Sequence, residues 1–280
     1  LKARLKDLDD ELNRYLAAEY GIDPRRTKPA AKPAVERRAA EAKGTWKVTG
    51  GEKDPKPDYP TWLESHKPFH WFVEFYGIMK RGGFDVIIGN PPYVEMSAIR
   101  GEYKIKNYDT ESCGNLYALC VERAFRLQHP CSRFGFIVQQ PITSTLRMSP
   151  CRRVIREYSS AAWSATFDDR PSKLFEGMHH ARLAILISVH AGSKNESPRL
   201  FVTSYNKWSK EERLFLFEGM TFVLFSGETL PGVFPKISTQ SEVSIVGKLA
   251  HVAAQLEMWL SKNRSTHILF YKITGVGHWF

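Results

Sequence analysis

Residues 84–88, Phe-Asp-Val-Ile-Ile, form an apolar run that meets Gly89-Asn90-Pro91-Pro92-Tyr93 and stops there. Val86, Ile87 and Ile88 are β-branched and favour an extended backbone. They are consecutive rather than alternating, so the spacing predicts a strand covered on both faces, as in a parallel sheet. Proline lacks a backbone N–H and drives its predecessor toward extended conformations, so the strand must end at Pro91. Its carboxyl end then presents the Asn90 amide, the Pro91 carbonyl in a stiff Pro-Pro unit, and the Tyr93 ring. Ligands of open α/β sheets bind just beyond the carboxyl ends of the strands. Asn90, Pro91, Pro92 and Tyr93 are therefore the candidate catalytic residues.

The chemistry suited to such a tip is the handling of a planar amine. An amino group on a heteroaromatic ring is a poor nucleophile because its lone pair is delocalised. Two acceptors, the Asn90 side-chain oxygen and the Pro91 carbonyl, would bind its two hydrogens, draw the nitrogen toward tetrahedral geometry and free the lone pair. Stabilising a geometry met only on the way to the transition state raises the rate. Tyr93 would stack on the ring, a contact worth about 1–3 kcal/mol per base. No general base is needed for the attack, because the proton can leave once methyl transfer has made the nitrogen cationic.

At these residues the chain resembles the amino-methyltransferases that use S-adenosylmethionine, and most closely the N6-adenine-specific DNA methyltransferases. The string Lys67-Pro68-Phe69-His70-Trp71-Phe72-Val73-Glu74-Phe75, followed by Gly82-Gly83-Phe84-Asp85 and the tip, is similar to the large type IIG restriction-modification methylases. Further residues continue the resemblance in order. Gly114 to Phe125 reads as a helix with Leu116, Leu119, Cys120 and Ala124 on one face. Phe134 to Val138 reads as a second buried strand, Ser149 to Tyr158 as a short basic helix, and Ala181 to Ile187 as a late strand. The resemblance implies an aromatic wall just before that late strand, and Phe175 stands at the matching place. An ordinary core phenylalanine is the competing reading of Phe175. The target amine is paired inside a duplex, so the resemblance also implies base flipping, with Tyr93 and Phe175 clamping the extruded adenine.

A formal charge of +10 and a pI near 9.4 agree with a polyanionic partner, double-stranded DNA. Arg147, Arg152, Arg153 and Arg156 form a basic cluster suited to phosphates or, alternatively, a solvated helix face. Cys113, Cys120, Cys131 and Cys151 never form a Cys-x-x-Cys pair, and His179-His180 lacks partners at ligand spacing, so no metal site is expected. Scattered thiols, no membrane-length apolar run and no signal peptide point to a cytoplasmic location without membrane contact.

Four parts are expected. Residues 1–22 form an amphipathic helix with Leu1, Leu5, Leu8, Leu12 and Leu16 on one stripe, closed by a left-handed Gly21 and a folded-back Ile22. Residues 23–60 are a flexible linker or insertion. Residues 61–192 hold the catalytic half of a methyltransferase domain, and residues 193–280 begin a target-recognition region. In the last part a helix over 241–262 is predicted to turn Ile245, Leu249, Val252, Leu256, Trp259 and Leu260 inward. The fold class is thus α/β, a partial Rossmann-like S-adenosylmethionine-dependent methyltransferase fold with a carboxyl-terminal α+β extension.

A cofactor site is not assigned. Such enzymes place a glycine-rich turn after a strand and an acid for the ribose. Gly50-Gly51 sits in polar sequence, and Gly275-Val276-Gly277 is followed by His278, Trp279 and Phe280 without a helix. The chain is therefore expected to bind S-adenosylmethionine weakly by itself, its loop belonging to a missing part of the same polypeptide. Two other functions share the pattern: methylation of a protein glutamine amide at N5, and a non-catalytic DNA-binding fragment of a truncated methylase.

Overall fold

The computed structural model describes residues 1–25, 57–99, 103–175, 181–193, 198–225, 232–249 and 252. It divides into two compact units, Leu1–Lys80 and Arg81–Phe280. Of the expected linker, residues 26–56 lie outside the described residues, as do both glycine pairs considered for a cofactor loop, His179-His180, Leu256, Trp259 and Leu260.

The first unit is helical: α1 (Lys2–Glu19), α2 (Tyr59–His66), α3 (Trp71–Glu74) and α4 (Tyr76–Met79). The expected close of α1 is present in full. Gly21 takes φ 71°, its N–H reaches Ala18 O at 2.8 Å, and the Ile22 N–H reaches Ala17 O at 2.9 Å. That is the paired bonding of a Schellman motif. The leucine stripe is corrected: Leu1 and Leu8 are exposed, while Asn13 and Ala17 are buried and Ala17 joins Ile22 and Trp62 in a small core. The contact face turns toward Asn13, whose Oδ1 lies 2.9 Å from His70 Nε2. α2 begins inside the expected linker because Asp58 caps it, accepting from the Thr61 N–H at 3.2 Å, and Pro60 suits its first turn.

The second unit is built on one mixed sheet. Its strands are β1 (Phe84–Gly89), β2 (Gln128–Gln139), β3 (Ser159–Phe167), β4 (Leu183–His190), β5 (Arg199–Asn206) and β6 (Val223–Phe225), in the order β1-β2-β4-β3-β5-β6. β1 pairs parallel with β2, and β3 with β5, whereas β4 is antiparallel to both its neighbours and β6 is antiparallel to β5. Four strands therefore deliver their carboxyl ends to one edge of the sheet. Asn90, Gln140, Asp168 and Lys207 follow them there, beside Arg182 at the start of β4.

Two helices, α5 (Leu116–Leu127) and α6 (Ser149–Tyr158), supply the core that covers one sheet face. Asn115 caps α5 through the Tyr117 N–H at 3.3 Å. The buried face runs through Tyr117, Ala118, Leu119, Val121, Ala124 and Phe125, so of the expected face Leu119 and Ala124 are buried, Cys120 packs on the core from its margin, and Leu116 is only half-buried. The expectation of a doubly covered β1 is also corrected. Ile88 and Val86 are 80% and 54% exposed, and Ile87 alone of the three packs against the core. β1 lies at the sheet edge, and through Ile88, Gly135, Ile187, Trp163, Phe201 and Leu224, paired strand to strand, an apolar line crosses the open face. Trp163 stacks on Phe201 there with centroids 5.0 Å apart.

β3 has no counterpart in the sequence reading, because Ser159-Ser160-Ala161-Ala162 carries little strand propensity of its own. Pairing on both sides, to β4 and β5, holds it extended. The late helix covers 240–249 within the described residues, with Val243 buried and Val246 packed on the core, so the inward placement of Ile245, Leu249 and Val252 is reversed: all three are exposed. Its start is a capping box. Glu242 accepts from the Ser238 and Thr239 N–H groups at 2.8 and 2.9 Å, and the Glu242 N–H donates to Thr239 Oγ1 at 3.2 Å.

Those bonds, the Ser238 N–H foremost, hold the Glu242 carboxyl below its usual value of 4.5. A carboxyl whose folded pKa is depressed stabilises the fold fully above its unfolded pKa, and that contribution is lost as pH falls through the folded value. Glu242→Gln should therefore remove part of the acid sensitivity. Thermal unfolding of both proteins from about pH 7 to about pH 3 measures it, and parallel curves would refute the assignment.

Candidate active site

β1 carries the tip to the carboxyl edge, and Pro91 ends it as the missing donor requires. Asn90 is exposed, Pro91 buried, Pro92 exposed and Tyr93 half-buried. The Tyr93 hydroxyl lies 2.7 Å from Asn90 Oδ1 and 3.0 Å from the Ile137 carbonyl on β2, and it can donate to either. Its ring meets Tyr117 edge-on at 6.2 Å. Burial pushes the Tyr93 pKa up to about 12, so the hydroxyl keeps its proton and acts as a donor at neutral pH. Asn90 is thus held by its own neighbour, and a second lone pair on Oδ1 remains available. Among the described residues nothing donates to the Pro91 carbonyl.

The residues after the tip are clamped to the amino end of α5. The Leu116 N–H donates to Val94 O and the Met96 N–H to Gly114 O, each at 2.9 Å. Glu95 accepts from Asn115 Nδ2 at 3.1 Å and pairs with Arg147. The Arg147 hydrogen bond, with a smaller contribution from Asn115, holds the Glu95 carboxyl below its ordinary range. Gly114 takes φ 64° beneath that guanidinium, where any Cβ would collide with it. The sequence reading missed Glu95, Asn115 and the Ile137 carbonyl as supports of the tip. The Asn115 cap was the one local signal, since Asn before an apolar helical run marks a helix start.

Phe175 is half-buried in the loop between β3 and β4. Leu174 beside it packs on Ala165, Phe167 and Trp208, and Arg213 donates to the carbonyls of Lys173 and Leu174 at 3.3 and 3.0 Å. The loop joins the carboxyl end of β3 to the start of β4 and so lies on the same edge of the sheet as Asn90.

The basic cluster is divided by the fold. Arg152 is buried and donates to the carbonyls of Gly232, Ile142 and Thr145 at 2.7, 2.9 and 2.8 Å, so it cannot meet a phosphate. Arg147 is committed to Glu95, and Arg153 lies 3.9 Å from Glu157. Cys113 and Cys151 are buried and Cys120 partly so; burial, the leading cause in each, raises all three thiols. Among the described residues no group of three or more His, Cys, Asp or Glu is placed to hold a metal ion, and no helix is long and apolar enough to cross a membrane.

Residues 37–167, which contain this strand tip and the helix it is clamped to, match the model of the Eco57I restriction-modification methylases. A protein of Methanocaldococcus jannaschii named as a type II restriction enzyme and methyltransferase is 33% identical over 91 residues. That alignment takes in 32% of this chain and 8% of the relative. Among solved structures, a nuclease-deletion mutant of the Type ISP restriction-modification enzyme LlaGI with a DNA substrate mimic aligns at 14% identity and TM-score 0.45, over 66% of this chain and 18% of that one. A modification subunit of a type I restriction enzyme from Vibrio vulnificus aligns at 11% identity and TM-score 0.37, over 56% of this chain and 38% of that one. The chain thus spans a small part of the length of the relatives it matches.

Proposed function

We propose that this chain carries the catalytic and target-base half of an adenine-specific DNA methyltransferase of a restriction-modification or phage-defence system. In this reading the sheet is part of a Rossmann-like methyltransferase fold, and residues 193–280 begin the target-recognition region. The observation that carries it is the pair of available acceptors at the tip of β1, the second lone pair of Asn90 Oδ1 and the Pro91 carbonyl, with Asn90 oriented by Tyr93. S-adenosylmethionine, when bound, supplies an electrophilic methyl group. Among the described residues no glycine-rich turn follows a strand, so none is assigned to that cofactor and no step is routed through it.

The chain's own residues act on the adenine. Asn90 Oδ1 and Pro91 O accept the two N6 hydrogens, which localises the nitrogen lone pair in the direction of attack. Pro92 restricts the loop so that both acceptors keep their places. Tyr93 and Phe175 flank the extruded base and offset part of the few kcal/mol that flipping costs. The similarity to restriction-modification methylases supports DNA as the substrate.

The test is transfer of a labelled methyl group by the whole polypeptide that contains this chain, offered duplex DNA and, separately, protein substrates. Label at N6 of adenine is the expected result. Label on a glutamine amide or on another base, or none at all, would overturn the reading.

A further inference from the structure

On the carboxyl edge of the sheet, beyond the tip, three cations gather around Tyr205 and two buried carboxylates. Arg182 Nε lies 3.3 Å from Asp168 Oδ1 and 3.6 Å from Asp169 Oδ1, and Lys207 Nζ lies 3.6 Å from Asp168 Oδ2. The Asp168 and Asp169 side chains are almost wholly covered, whereas that of Arg182 is 53% exposed. Burial alone would raise the Asp168 carboxyl. Hydrogen bonds from Asp169 and the charges of Arg182 and Lys207 outweigh it and hold the group below its usual range.

Arg182 Nε is hydrogen-bonded to Asp168 and lies near Asp169. Among the described residues the two terminal nitrogens of that guanidinium make no hydrogen bond, so a planar fork is anchored at one corner with donors to spare. Such a fork matches the paired oxygens of a phosphate. Lys236 shares the Tyr205 ring with it: its ammonium lies 5.6 Å from the ring centroid, and the Arg182 guanidinium carbon lies 5.9 Å from the same centroid. Lys236 has no carboxylate partner among the described residues. Its partial burial, and then the nearby Arg182 charge, lower its pKa. Three cations thus face two carboxylates, and the surplus charge sits on a half-buried lysine near that fork. An anion there would relieve the repulsion between the two cations and fill the fork.

We propose that Arg182 and Lys236, with Lys207 at the rim, form a binding site for a phosphodiester of the nucleic-acid backbone. It rests on the reading of the chain as part of a DNA methyltransferase and deepens it by locating one backbone contact. The Arg182 carbonyl accepts from the Gln140 N–H at 2.9 Å, directly after β2, so the site stands on the edge shared with Asn90 and the Phe175 loop. A phosphate held here fixes register without reading sequence.

The experiment is fluorescence anisotropy of the full chain with a labelled duplex over a range of salt concentrations, for the unaltered protein and for Lys236→Met, Arg182→Gln and Arg199→Gln. Methionine keeps the apolar stem of Lys236. Arg182 is half exposed, so its variant tests the site should Lys236→Met fail to fold. Arg199 is exposed at the start of β5, on the opposite sheet edge, and controls for net charge. Lys236→Met and Arg182→Gln should each weaken binding of unrelated duplexes to a similar degree and reduce the slope of log K against log salt by about 1. Arg199→Gln should leave the slope unchanged. An unchanged slope in the folded site variants, or an equal loss in Arg199→Gln, would overturn the proposal. Methyl transfer is read separately: a protein that fails to methylate adenine but shows the slope loss keeps the phosphate site and loses only the catalytic reading.

Discussion

Replacing Asn90 with alanine in the polypeptide that carries this chain should lower methyl transfer to adenine by roughly 10²–10³-fold, the usual cost of one preorganised polar contact to a reacting centre. The loss should fall on kcat, because the Asn90 oxygen is proposed to bind the N6 hydrogens most tightly as the nitrogen becomes tetrahedral. Stability should change by no more than about 0.5 kcal/mol, since Asn90 is exposed and the Tyr93 hydroxyl keeps its second acceptor, the Ile137 carbonyl. Tyr93→Phe makes the comparison sharper. It retains the ring and removes only the hydroxyl that holds Asn90, so a single hydrogen bond of about 1 kcal/mol is lost and the rate should fall about five-fold. Steady-state kinetics on duplex DNA measures both. An Asn90→Ala enzyme at the unaltered rate refutes the role of the amide, and a Tyr93→Phe enzyme as slow as Asn90→Ala would transfer that role to the hydroxyl.

The second large effect concerns stability. Arg152 is 1% exposed and satisfies three carbonyls, two in the turn after β2 and one at Gly232. Burial, the leading cause, pulls its pKa down to about 10, so it remains charged at neutral pH, and among the described residues no carboxylate pairs with it. Arg152→Met removes the cost of burying that charge but orphans three acceptors, each worth about 1 kcal/mol or more. A net loss of about 2–3 kcal/mol is expected, visible as a lower urea midpoint. An unchanged midpoint would show that the carbonyls find other partners at no cost.

Arg152 also shows why charge patterns mislead. Arg147, Arg152, Arg153 and Arg156 look alike in sequence, yet one is buried structural glue, one braces Glu95, and one lies near Glu157 on its own helix. The basic site proposed at Arg182, Lys207 and Lys236 has no sequence signature, because its members come from three separate connections. Local features were more legible. Gly21 with Ile22, the span Ser149–Tyr158 and the strand-ending prolines each follow from steric rules that act over a few residues. β3 was illegible for the opposite reason: its Ser- and Ala-rich backbone is extended only because β4 and β5 pair with it.

The composition of the tip, an amide, a rigid carbonyl and an aromatic ring at the end of a β-branched run, was determined by the sequence, since proline and β-branched residues restrict the backbone wherever they occur. Tertiary structure decided what surrounds it. The Tyr93 hydroxyl finds Ile137 on the neighbouring strand, Glu95 finds Arg147, and the exposed Ile88 lies on an edge strand with one covered face. Those outcomes depend on strand order and on which side the helices pack, and contacts between residues 40 or more positions apart leave no mark in local spacing.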